Sequence, residues 1–162
     1  MSEQLASASF MLAPGAGDAV SSPIDARIVV KVRGTQSGGA MTVFESQVPP
    51  GAGPPLHLHE GYDECMYVLA GDLRVRVGDE VEGAPAGSFA FFARGVAHCW
   101  QNVGAEIARI LVTVTPAGLE ALFERFSALA ERPGEAQAFD ELGPAAGVRV
   151  VGPALARSHP LP

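Results

Sequence analysis

The chain has no run of basic residues. Its 11 Lys and Arg stand against 18 Asp and Glu, for a net charge of −7. Such a balance repels phosphate backbones and anionic headgroups, so neither nucleic acid nor a membrane surface is an expected partner. No window approaches the roughly 18 consecutive apolar residues that a membrane span needs. The N-terminus, Met1-Ser2-Glu3-Gln4, lacks the positive region of a signal peptide, and Phe10-Met11-Leu12 is too short for a signal core. A cytoplasmic location is therefore expected. There is no CxxC pair. The two cysteines, Cys65 and Cys99, stand far apart in the sequence and read as small core residues in a reducing compartment. No internal repeat is visible.

What is present points to one globular unit. The chain has 162 residues, 48 % of them apolar and 18 % charged, which suits a single domain with a proper core and excludes disorder. The 19 Gly and 13 Pro imply many turns and therefore many short strands. Residues 1–26, rich in Ala, Gly and Ser, read as an N-terminal arm. Strands are expected at 27–33, 40–48, 57–59, 63–69, 73–77, 81–82, 88–93, 97–102 and 106–115, with turns at Gly38-Gly39, Gly71, Gly78 and Gly95 between them. Strands at this spacing build a sandwich or a small barrel over 27–115. The pattern then changes. Leu119, Leu122, Phe123, Phe126 and Leu129 recur at helical spacing, with Thr115 as the expected N-cap and Pro116 at the first position. Pro133-Gly134 ends this helix. A second helix is expected near 135–142, an extended segment at 148–151, and a loose tail, so that 116–162 packs on the barrel or on a partner subunit.

The stretch from Gly51 to Gly71 carries the chemistry. His57 and His59 share one face of a strand, because successive side chains alternate. Glu64 follows five residues later, on the next strand. Two imidazoles and a carboxylate make a plausible metal site. His98 adds a third imidazole, and His159 lies in the tail without such a context.

The spacing resembles the cupin superfamily. The first cupin motif is matched by Gly51, His57-Leu58-His59, Glu64 and Gly71, and the second by Gly87, Gly95, His98 and Asn102. Ala93 stands where the family usually has Pro. Looser likenesses to quercetinase-like cupins are Gly53-Pro54-Pro55 and Thr115-Pro116-Ala117-Gly118 before the helix. The resemblance implies an all-β, double-stranded β-helix (a jelly-roll barrel) with a C-terminal α-helical appendage. It implies that His57, His59, Glu64 and His98 hold one divalent transition metal: Fe, Mn, Ni, Co, Cu or Zn. Strand parity sets Met66 and Val68 on the face of Glu64, and Trp100 on that of His98. With Phe91 and the neighbouring Tyr62 they form the expected substrate pocket. Cys65 and Cys99 fall on the other face.

The implied activity is that of a quercetinase-like dioxygenase, an oxidoreductase using O₂ on an aromatic or enol-type small molecule, with Glu64 as catalytic base. Two further readings stay open. One is a non-redox cyclase, isomerase or decarboxylase acting on a polyketide-like or keto-acid substrate. The other is a non-enzymatic small-molecule binding module. The family resemblance also implies a homodimer.

Overall fold

The computed structural model of the chain describes residues 8–161. Two antiparallel sheets enclose one core. The first has six strands, in the order β1 (Asp18–Ser21), β2 (Arg27–Val32), β3 (Thr42–Val48), β10 (Ala108–Thr115), β5 (Asp63–Ala70) and β8 (Phe89–Phe92). The second has five: β11 (Val148–Gly152), β4 (Leu56–His59), β9 (His98–Asn102), β6 (Asp72–Val77) and β7 (Glu80–Pro85). From β3 to β6 and again from β7 to β11 the chain steps from one sheet to the other. This is the jelly-roll barrel, and it sets residues close in sequence on facing walls.

Alternation decides which side chains enter the core. Phe44, Ser46 and Val48 of β3 point inward, as do Glu64, Met66 and Val68 of β5 and Ile110, Val112 and Val114 of β10. β9 breaks the rule, for all five of its residues are buried. Its outer side is covered by the C-terminal tail, where Cys99 packs with Leu56 and the fully buried Leu155. Instead of the loose tail expected there, the chain forms a short helix, α3 (Leu155–Ser158). Arg74 fastens it by donating to the Leu155 carbonyl (3.1 Å) and to Gln101 Oε1.

Two glycines permit close approaches. Gly71, at φ +89°, turns β5 into β6, and a Cβ there would lie 2.7 Å from the Cβ of Ala108. A Cβ on Gly53 would collide with the Trp100 carbonyl oxygen. The loop before β4 thus lies against β9, where Gly51 N donates to Asn102 O and Asn102 N to Ala52 O, both at 2.9 Å.

The helical segment differs from the expectation at its start. Thr115 stays in β10, paired with Asp63, and its hydroxyl donates to Ala40 O. Helix α1 begins only at Glu120 and ends at Ser127, short of Leu129. Gly118, at φ +150°, breaks the chain direction between them. Among the described residues no side chain caps the helix; the Glu120 carboxylate instead ties its start to the barrel, accepting from Gly118 N, Gly34 N and the Thr42 hydroxyl. Arg33 pairs with Glu124, and Ser21 N donates to Ser127 Oγ at 2.7 Å. Helix α1 is thereby fastened over one end of the barrel. Helix α2 (Glu135–Leu142) follows, burying Ala138 and Phe139. Among the described residues no helix is long and apolar enough to cross a membrane. Residues 1–7 of the expected arm lie outside the described residues, while 18–21 form β1.

Asn102 is fully buried and joins the end of β3 to the β9–β10 loop, donating to Val48 O (2.9 Å) and Glu106 O (2.8 Å) and accepting from Gly104 N (2.9 Å). Asn102→Ala leaves these groups without partners in a dry interior, and should lower stability by about 2–4 kcal/mol. Urea unfolding of the variant and the parent measures this.

Candidate metal centre

Four side chains meet inside the barrel. His57 and His59 come from β4, His98 from β9 beside it, and Glu64 from β5 on the opposite sheet. His57 and His98 are direct cross-strand partners. One ligand atom of each residue lies within 4.8 Å of the others, and all four side chains are buried. The sequence folds this way because β4 is closed off on both faces, so both of its histidines and both of its leucines are buried.

The ring nitrogens are already oriented. His57 Nδ1–H donates to Pro55 O at 2.8 Å, and His98 Nδ1–H donates to Val96 O at 2.9 Å. Each bond fixes the tautomer and leaves Nε2 as a bare lone pair, the arrangement that metal-binding histidines show. His98 Nε2 is buried without a hydrogen-bond partner, 3.7 Å from Glu64 Oε2. His59 Nε2 lies 2.8 Å from the same oxygen. An unpaired acceptor in a dry interior costs free energy, and a cation removes that cost. Three imidazoles and one carboxylate suit a divalent transition ion, without selecting one.

The electrostatics agree. Burial first, then the neighbouring His98 and His59, lower His57 from its ordinary 6.5 to about 3, against the opposing effect of Glu64. It is therefore neutral, as a ligand must be. Burial by itself raises Glu64, but the hydrogen bond with His59 and the neighbouring His98 outweigh it and hold the carboxylate ionised, below its usual range. At the rim, Arg94 binds Asp63 through its backbone N–H and its guanidinium (2.8–3.2 Å) and holds that carboxyl at about 2. Gly95 N donates to His59 O at 2.8 Å, so this turn also braces the second ligand.

A cavity of about 60 Å³ adjoins the cluster. His57, His59, Glu64 and Trp100 line it, together with Phe44 and Ser46 of β3 and Phe123 and Phe139 of the two helices. Trp100 thus stands beside the ligands. Tyr62 packs its ring 4.6 Å from that of His59 and donates its hydroxyl to Ala146 O at 2.6 Å. Burial raises its pKa and keeps it protonated. Met66 and Val68 face inward, as parity requires, but line a different cavity of about 400 Å³ between β5–β8 and β6–β7. Phe91 borders this larger cavity too, from the outer face of β8, and is 56 % exposed, away from its expected place beside the ligands. Phe92 takes the inward position, paired with Glu64 and stacked on His98 at 4.2 Å. Parity with Glu64 selects it once the β5–β8 register is known. Phe123, part of the apolar stripe of α1, packs on Phe44 (5.2 Å) and also walls the cavity. Phe139, 6.4 Å from His57, carries no sequence signal, since only the placement of α2 brings it there.

Residues 44–114 match the family model described as "Cupin domain". Among solved structures, KdgF from Halomonas sp. is similar over 67 % of this chain and 94 % of its own, with 14 % identity and a TM-score of 0.59. A predicted oxalate decarboxylase from Thermotoga maritima matches over 56 % and 80 %, with 23 % identity and a TM-score of 0.53. A sugar phosphate isomerase from a cupin superfamily, from Silicibacter pomeroyi, matches over 59 % and 63 %, with 25 % identity and a TM-score of 0.52. The first two likenesses are of fold alone. No curated protein sequence matches the chain.

Two outcomes are expected. His98→Ala should cut bound metal, measured by elemental analysis after reconstitution, by about tenfold or more; equal content in parent and variant contradicts this ligand set. The metal-free protein should lose stability as pH falls from 6.5 toward 3. The unfolded chain takes up a proton at His57 in that window, and the folded chain refuses it until about pH 3. Glu64 adds to the loss in the same direction at lower pH. Urea unfolding between pH 8 and 4 measures the slope, which should flatten in His57→Gln.

Proposed function

We propose, from the match of residues 44–114 to the cupin domain model and the donor set beside the cavity, that the protein is a metal-dependent, quercetinase-like dioxygenase acting with O₂ on a compact enol-type or aromatic molecule. The lining of the cavity carries this reading. Apart from the ligands it consists of aliphatic and aromatic side chains, one proline and two serines, with Glu64 as its one charged residue and no Lys or Arg. A phosphosugar or a dicarboxylate would enter with its remote charges unpaired, at a prohibitive desolvation cost. An apolar enol or phenol presents a single anionic oxygen, and that oxygen belongs at the ion.

A redox-active divalent ion, when bound, supplies the chemistry through which O₂ and an enol react. The chain supplies the surroundings. His57 and His98 are held in one tautomer by Pro55 and Val96, so their geometry needs no rearrangement on loading. The described hydrogen bond of Glu64, with His59, runs through Oε2, leaving Oε1 to accept the proton of the incoming enol. Phe44, Phe123, Phe139 and Trp100 exclude water from the reacting atoms. A non-redox enzyme could use the same site with the ion as Lewis acid, and oxygen dependence separates the two.

For a partner we propose a second copy of the chain. The outward residues of β5 and β8 include Tyr67, Leu69, Phe89 and Phe91, all exposed and none charged. On a protein of net charge −7 this is a surface that can meet its own copy without repulsion.

The protein loaded with Fe, Mn, Co or Ni should consume O₂ with small enols and phenols, and Glu64→Gln should slow turnover by about 10²-fold or more. No uptake with any of these ions, or equal turnover without oxygen, contradicts the dioxygenase reading. Phe89→Asp with Phe91→Asp should convert a dimer to a monomer in light scattering; a monomeric parent rules out the partner.

A further inference from the structure

Ser46 stands out in the cavity wall. It lies at the centre of β3, where its cross-strand partners are Ile28 on one side and Ile110 on the other. Its inward neighbours along the strand are Phe44 and Val48. Every surrounding position is apolar, yet the residue is a serine. It is 1 % exposed, and its Oγ has no hydrogen-bond partner. A hydroxyl so placed costs about 1–3 kcal/mol relative to one that is satisfied. The nearby hydroxyls are already engaged. Ser22 Oγ accepts from Ile24 N at 3.2 Å, and Thr42, also inward on β3, donates to Glu120.

We infer that Ser46 is a specificity-determining residue, whose hydroxyl binds a second oxygen on the body of the substrate. This rests on the reading of the cavity as the substrate site beside the metal. It narrows the substrate class on two counts. The molecule carries one anionic or enolic oxygen for the ion, a second oxygen for Ser46, and an otherwise apolar body. A cavity of about 60 Å³ takes a handful of heavy atoms, since one water needs roughly 10–15 Å³ by the same measure. A flavonol-sized ligand requires displacement of the helices that bear Phe123 and Phe139, while a compact one does not. The position also explains its own cost. The unpaired hydroxyl is tolerated in the free protein because the substrate completes it, and a substrate lacking that oxygen leaves it buried and unpaired.

The test uses zinc-loaded protein, in which no redox chemistry intervenes, and two probes of equal size: butanoate and 3-hydroxypropanoate. They differ by one hydroxyl in place of one methyl. Titration calorimetry gives the preference of each protein for the hydroxylated probe. The wild type should prefer 3-hydroxypropanoate, and Ser46→Ala should reduce that preference about fivefold or more, with zinc content unchanged and thermal stability equal or higher. Chelation by the probe cancels in the comparison. Ser46→Cys, which keeps the size and weakens the hydrogen bond, should fall between them. An unchanged preference overturns the assignment, and is the result expected if the hydroxyl only holds an ordered water. A marked loss of stability in both variants also overturns it, since the hydroxyl would then be structural. Failure of both probes to bind the zinc-loaded wild type removes the substrate cavity itself, and the proposed function with it.

Discussion

Everything in this molecule turns on gathering a carboxylate and three imidazoles in a dry interior. Left alone, such a set is costly, because burial opposes the charge of Glu64 and strips the histidines of water. The fold meets that cost in two stages. Backbone carbonyls of Pro55 and Val96 take the Nδ1–H of His57 and His98, and the imidazoles themselves hold Glu64 ionised. What remains, a bare nitrogen on His98 and a converging set of lone pairs, is a donor set arranged for a cation. Placing the donors on facing sheets makes the centre depend on the whole barrel. A change in register of β4 by one residue would turn both histidines to the outer face.

Segments outside the matched domain help to enclose the site. The jelly roll alone would leave the cluster open at one end. Segment 22–28 and helices α1 and α2 close it, adding Ile24, Ile28, Phe123 and Phe139 to the wall. The fastening of α1 by Arg33, Glu120 and Ser127 lies outside the cupin match at 44–114. The donor set thus comes from the matched segment alone, while the wall beside it is shared: Phe44, Ser46 and Trp100 come from that segment, and Ile24, Ile28, Phe123 and Phe139 from the flanks. A wall without Lys or Arg sets this cavity apart from any built for a phosphorylated sugar.

Much of this is legible from residue spacing. The spacing of the two motifs, through their resemblance to cupins, implies that His57, His59, Glu64 and His98 meet, and strand parity adds which neighbours share their faces. The cavity wall is less legible. Phe91 and Phe92 are adjacent, and only the pairing of β8 with Glu64 of β5 shows which one faces in. The start of α1 misleads because Thr115-Pro116 has the form of a helix cap, while the strand pairing of Thr115 with Asp63 overrides it. Phe139 and Ser46 cannot be assigned from pattern. Phe139 depends on tertiary docking of α2, and Ser46 is indistinguishable from any other serine until its neighbours prove to be apolar.

The most direct test of the metal centre is X-ray absorption at the K-edge of protein reconstituted with a single divalent ion such as Ni or Zn. The four-ligand centre predicts a shell of about three imidazole nitrogens and at least one oxygen, with no sulfur despite the two cysteines. It also predicts loss of one imidazole in His98→Ala. A shell of oxygens alone, or an unchanged shell in that variant, would place the ion elsewhere and contradict the four-ligand centre.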